Sequence, residues 1–130
     1  RSAAVRIPHV TNPAARRVEI RFPDPTANPY LCLPAVMMAG LDGIENKIHP
    51  GDAMERNLYD ASQNDLGDDA LLCTNLVDAL RELDQDRAFL LKGGVFTDDQ
   101  ISAYIANKTA ELHKVMEVPH PVEFDLYYSL

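Results

Sequence analysis

The chain has 130 residues, 46% of them hydrophobic, and 12 basic against 20 acidic side chains give a formal charge of -8. No apolar run is long enough to cross a bilayer, so one soluble domain or part of one, with no membrane association, is expected. The acidic balance argues against a nucleic-acid surface, where a basic patch is the usual signature, and leaves small molecules or proteins as partners.

The chain opens on Arg1 without an initiator Met and enters "SAAVRI", in which Ser2, Ala4 and Arg6 alternate with Ala3, Val5 and Ile7. This pattern predicts a strand over 2–8 and a piece of something longer. A second strand is predicted over 16–22, where Arg17, Glu19 and Arg21 alternate with Val18, Ile20 and Phe22. The apolar set is expected to enter a core while cation, anion and cation line the other face. Two strands do not stand alone without further strands or a helix cover, so partners are expected upstream.

"PDPTANPYL" carries turn chemistry, and Asn28 before Pro29 is a helix start, with Asn as N-cap and Pro at the first helical position. A helix over 29–46 follows. Leu33, Met37, Met38, Leu41 and Ile44 recur at three- and four-residue steps, while Ala35, Ala39, Gly40 and Gly43 allow close approach of another backbone. Pro34 should kink its first turns. Residues 47–71 show no sustained period and are rich in Asp, Asn, Gly and Ser, as functional or mobile loops are.

A second helix is predicted over 75–91, with Leu76, Leu80, Leu83 and Leu90 on one side and Gly93-Gly94 ending it. "TDDQ" at 97–100 has capping-box spacing and opens a helix carrying Ile101, Tyr104, Ile105, Leu112 and Val115 to about residue 116. The tail "PHPVEFDLYYSL" fits a strand by alternation and a short helix by Pro121 and the Val122–Leu126 spacing. Neither is stable without a surface, so its Phe124, Tyr127 and Tyr128 read as a docking element.

Most single motifs have ordinary explanations. His9, His49, His113 and His120 lack metal spacing and read as turn, cap or surface residues. Cys32 and Cys73 lack a C-x-x-C or nucleophile signature, and no signal-like segment is present, so reduced thiols and a cytoplasmic location are expected. "LLKGGVF" lacks P-loop spacing. The strand over 16–22 has two readings. In one, Arg17 and Arg21 screen Glu19 on a solvated face. In the other, a carboxylate kept ionised by guanidinium groups is a hard ligand for Mg²⁺ or Mn²⁺, and the arginines, Arg6 included if it shares that face, clamp phosphate or carboxylate.

"RSAAVRIP", "RRVEIRFPDPTANPYL", "MAGLDGIENKIHPG", "NLYD", "GGVFTDDQISAYI" and "HPVEFDLYYS" together resemble, in order and spacing, the C-terminal part of bacterial type I glutamine synthetases. The likeness covers essentially the whole chain but less than a third of the family's length. It implies an α+β fragment of the catalytic domain, residues 1–130: two strands of an antiparallel sheet, then helices and a C-terminal docking helix. The N-terminal domain and most metal ligands would lie outside it.

The implied activity is ATP-dependent joining of ammonia to glutamate through γ-glutamyl phosphate, in a dodecamer of two hexameric rings whose tails dock in the opposite ring. Glu19 would bind the Mg²⁺ or Mn²⁺ that bridges the nucleotide phosphates. Arg21 and Arg1 would contact the transferred phosphoryl group and substrate, and Arg6 and Arg17 the nucleotide. Tyr59 would be the tyrosine that an adenylyltransferase modifies with AMP. Departures from the family pattern are an alanine for a basic residue in "NPAARR", Pro34, and "NLYDAS" without the usual Leu-Pro. These 130 residues alone are expected to be inactive. The alternatives are a ligase that joins glutamate to a larger amine, and a non-catalytic assembly or regulatory module bearing Tyr59.

Overall fold

A computed structural model describes residues 3–52 and 72–128. The chain divides into two units, Arg1–Leu72 and Cys73–Leu130, and each is taken by itself. Among the described residues the architecture is α+β, with a two-stranded antiparallel sheet followed by four α-helices, as expected.

In the first unit β1, Val5–Arg6, pairs with β2, Glu19–Ile20, in the register Val5 opposite Ile20 and Arg6 opposite Glu19. Both strands are much shorter than the alternation predicts. Alternation reports which residues suit a pleated surface, whereas a strand also needs a neighbour for its backbone groups. One further bond, from the Arg21 N–H to the Ala4 carbonyl at 2.9 Å, extends the pairing. The connection holds a 3₁₀ turn, Pro13–Ala15, capped by the Asn12 side chain, which accepts from the Ala14 N–H at 2.9 Å.

The expected core behind β2 is not found: Val18, Ile20 and Phe22 remain 61%, 37% and 48% exposed. Two strands offer too little surface to bury them.

Between β2 and the first helix, the Asp24 carboxylate accepts from the Thr26 hydroxyl and backbone N–H. The hydroxyl bond, with the backbone bond behind it, holds the Asp24 pKa below its ordinary value. Helix α1, Pro29–Glu45, starts where Asn28 and Pro29 predict, with the Asn28 side chain accepting from the Tyr30 N–H at 2.9 Å. Pro34 does not interrupt it. The ring removes only the bond to the Tyr30 carbonyl, and Tyr30 is exposed, where water replaces the lost donor.

The end of α1 is a Schellman turn, in which Ile48 N–H reaches the Gly43 carbonyl at 2.9 Å and Lys47 N–H the Ile44 carbonyl at 3.3 Å. Its left-handed position, φ 52°, is held by Lys47 where glycine is usual. A lysine there complements the negative end of the helix dipole.

In the second unit Asn75 caps α2, Leu76–Gln85. The predicted helix over 75–91 therefore stops early, and Leu90 belongs to a separate 3₁₀ segment, Ala88–Gly94, that ends at Gly93 and Gly94 with φ near 66° and 67°. Two causes act together. Asp84 and Asp86 oppose the negative end of the helix dipole. Arg87 also leaves the helical path to meet Asp84 at 3.2 Å, Asp98 at 3.1 Å and the Ser102 hydroxyl at 3.2 Å.

Helix α3, Asp98–Met116, opens on the predicted capping box: Gln100 N–H donates to Thr97 Oγ1 at 3.2 Å and Thr97 N–H to Gln100 Oε1 at 3.0 Å. It packs on α2. Leu80, Leu90 and Ile101 are the buried hydrophobic residues among those described, and all three belong to this unit. The tail is helical, as the family likeness implies: α4, Pro121–Tyr127, is capped by His120 and Glu123. Its Val122, Phe124, Leu126, Tyr127 and Tyr128 are exposed. No helix among the described residues is long and apolar enough to cross a membrane.

Candidate functional site

The β1–β2 register places the site residues. Arg6 and Glu19 are directly opposed, so both side chains rise from the same face, and Arg6 Nε lies 2.8 Å from Glu19 Oε2. The arginine that meets the carboxylate is therefore the one across the ladder, not Arg17 or Arg21 along the strand. Opposed residues are separated by roughly 5 Å, whereas side chains two residues apart on one strand start about 6.5 Å apart. The pair is open to solvent, with 53% of the Arg6 side chain and 34% of that of Glu19 exposed.

Arg17 turns back toward the 3₁₀ turn, where Nη1 donates to the Ala15 carbonyl at 3.4 Å, a long contact. Arg21 fixes its backbone in the ladder, and its guanidinium makes no ion pair among the described residues. Arg1 and Tyr59 lie outside the described residues. Of the five sites named from sequence in the first 22 residues, the structure brings two together, Arg6 and Glu19, and sets Arg17 and Arg21 on the flanking backbone.

Residues 3–22 hold four arginines, Arg6, Arg16, Arg17 and Arg21, against one acid, Glu19. In a chain of net charge -8, that local excess of cations is suited to phosphate or carboxylate groups. The donor set also bears on a metal. Glu19 offers a hard oxygen at an accessible position, yet Mg²⁺ takes six oxygen ligands and a single carboxylate supplies one or two. Among the described residues no group of three or more His, Cys, Asp and Glu could hold an ion. The residues present fit one ligand of a divalent metal and do not fit a whole site.

Other sequence candidates take the ordinary roles foreseen for them. His49 Nδ1 accepts from the Gly51 N–H at 3.1 Å in a turn, and His120 caps α4. Cys32 and Cys73 are free thiols. The concavity between α2 and α3, about 460 Å³ and open, is lined by Leu80, Ile105 and Leu112 with Arg81, Asp84 and His113. It gathers no set of groups suited to catalysis. The Arg87 bridge was missed at the sequence level because its partners, Asp84, Asp98 and Ser102, are spread over two helices.

A short antiparallel pair with a half-exposed carboxylate and a cluster of arginines, followed by capped helices, makes up an α+β segment. Comparison with known proteins identifies the domain: residues 1–127 match the family described as "Glutamine synthetase, catalytic domain". The chain belongs to that family. It is 58% identical over all 130 residues to the glutamine synthetases of Escherichia coli (strain K12), Pseudomonas aeruginosa and Azotobacter vinelandii. The match covers 100% of this chain and 28% of each of those proteins, so the chain spans little more than a quarter of their length.

Proposed function

We propose that these residues form one wall of the active site of a glutamate–ammonia ligase, in a parent protein that consumes ATP. The observation that carries this reading is 58% identity across the entire chain to proteins named glutamine synthetase. The reaction activates the γ-carboxylate of glutamate by attack on the terminal phosphorus of ATP, releasing ADP. Ammonia then displaces phosphate from the acyl carbon and loses a proton. Neither the larger-amine ligase nor the non-catalytic module gains support from the comparisons.

A bound Mg²⁺ or Mn²⁺ would neutralise charge on the nucleotide phosphates and hold them in line. Glu19 would supply one of its ligands, with other carboxylates from outside this segment. Arg6, at 2.8 Å, aims the Glu19 carboxylate while it also meets the nucleotide. Arg21 and Arg1 offer forked donors to the transferred phosphoryl group and the substrate carboxylate, and Arg17 serves the nucleotide side. Such a transfer demands mainly positioning and positive charge around the equatorial oxygens, which a set of arginines is suited to give.

Glu19→Ala in the full-length parent tests the central role. Loss of a group that only orients a ligand costs about 10–100-fold, so loss of a ligand should lower metal-dependent activity by at least about a hundredfold. Assembly should be unchanged. Normal affinity for Mg²⁺ or Mn²⁺ in the variant would return the pair to a surface ion pair.

The regulatory and assembly parts of the reading concern Tyr59, as the acceptor of AMP from an adenylyltransferase, and the tail, as the contact between two six-membered rings in the cytoplasm. Mass spectrometry of the native protein checks both. A twelve-subunit mass and an AMP adduct on the peptide containing Tyr59 are expected, and a monomer with unmodified peptide would contradict them.

A further inference from the structure

The connection between β1 and β2 runs from Ile7 to Val18, far longer than the roughly two to five residues that usually join paired antiparallel strands. Ordering such a length costs conformational entropy, which bonds within it must offset. Here the bonds converge on Asn12. Its side-chain oxygen accepts from the Ala14 N–H at 2.9 Å, and its own carbonyl accepts from the Ala15 N–H at 2.9 Å. Pro13, with φ fixed by its ring, takes the first position of the turn, and the Arg16 N–H closes it on the Pro13 carbonyl at 3.2 Å. Arg16 then returns to extended backbone, φ -62° and ψ 132°, and the chain runs on into β2.

The turn thus ends directly before an arginine assigned above to the nucleotide. Arg17 Nη1 reaches back to the Ala15 carbonyl at 3.4 Å, so its hydrogen-bond partner among the described residues is the turn and not Glu19 of β2. A contact so long is weak and gives way to an anionic oxygen, which makes the stronger, charge-assisted bond. Holding the side chain near one orientation also lowers the entropy lost when it meets a ligand. We infer that Asn12 is a positioning residue for the nucleotide: by capping the Pro13–Ala15 turn it fixes the Ala15 carbonyl, and through that carbonyl it holds the Arg17 guanidinium ready. The inference rests on the reading above that Arg17 serves the nucleotide. Every bond in the device spans three residues or fewer, so the turn forms from its own sequence.

Loss of a capping oxygen shifts a local equilibrium by about fivefold, and a ligand that needs the ordered state loses affinity in proportion to the fraction disordered. In the full-length parent, Asn12→Ala should therefore raise the Kd for ATP with Mg²⁺, measured by calorimetry, by about three- to fivefold. The KM for glutamate and kcat should stay within about twofold. Asn12→Ser, which keeps a capping oxygen, should bind ATP as the unaltered protein does. In an Arg17→Ala background Asn12→Ala should weaken ATP no further, because a residue that acts through another has nothing left to act on. Thr97→Ala removes a cap of similar strength in the other unit and should leave the ATP Kd unchanged. Unaltered affinity in Asn12→Ala, no recovery in Asn12→Ser, additive losses with Arg17→Ala, or an equal loss in Thr97→Ala would each overturn the inference. The ATP Kd is read without turnover, so the two readings fail separately. A parent that shows these affinities yet makes no glutamine sinks the ligase reading alone, and one that makes glutamine with Asn12→Ala at full ATP affinity sinks this one alone.

Discussion

The two units bury their apolar residues very differently. Residues 72–128 place Leu80, Leu90 and Ile101 at 5–7% exposure in the unit where α2 packs on α3. Residues 3–52 bury none of their hydrophobic residues, although they carry the alternating strand and a helix with no charge from Pro29 to Leu41. The α2–α3 unit buries Leu80, Leu90 and Ile101 through contacts within its own residues. The unit with the candidate site has its backbone arranged while its apolar side chains stay exposed or half-exposed.

The largest expected effect follows from that contrast. In the 130-residue chain, Leu80→Ala should cost about 2–5 kcal/mol of stability, as a large-to-small change in a packed site does. Val18→Ala, at a position 61% exposed, should stay within about 0.5 kcal/mol. In a full-length parent whose further strands cover the face behind β2, Val18→Ala should rise above about 1 kcal/mol. Urea midpoints in both contexts measure the difference. Equal costs for Leu80→Ala and Val18→Ala in the short chain would remove the distinction between a finished and an unfinished unit.

A local feature should behave the opposite way, indifferent to context. Thr97→Ala removes the side chain that accepts from the Gln100 N–H at 3.2 Å and so opens the capping box of α3. The expected cost is about 1 kcal/mol, the same in the short chain and in the parent, since the bonds lie within one turn. A cost that grew severalfold in the parent would mean that Thr97 serves a contact beyond the cap.

This division also explains what the sequence made legible. Asn28, Thr97, Gly93 and Gly94 act on backbone groups within a turn of themselves, and each marks a boundary where the structure has one. The ends of the strands and of α2 depend on groups distant in sequence. "RRVEIRF" alternates over its whole length, yet it pairs only where Ala4 to Arg6 supply partners. The leucine spacing after Leu76 continues to Leu90, but Arg87 is drawn to Asp98 and Ser102, and the helix stops before it. The same limit applies at the site: alternation could align Glu19 with Arg17 and Arg21, but only the register of a second strand puts Arg6 against it.

The smallest expected effect concerns that pair. At 53% and 34% side-chain exposure, the Arg6–Glu19 contact is a surface ion pair in energetic terms, and such pairs are worth about 0–1 kcal/mol. A double-mutant cycle with Arg6→Ala and Glu19→Ala in the full-length protein should give a coupling to stability within that range, falling as salt rises toward a Debye length of about 3 Å at 1 M. The same two substitutions should each impair nucleotide or metal binding far more than that energy allows. A pair kept for stability would show the reverse, with strong coupling in unfolding and little in binding. The small net energy of so close a contact comes from its exposure: the arginine meets one carboxylate oxygen at 2.8 Å and orients the group, while its exposed remainder is still available to a cation.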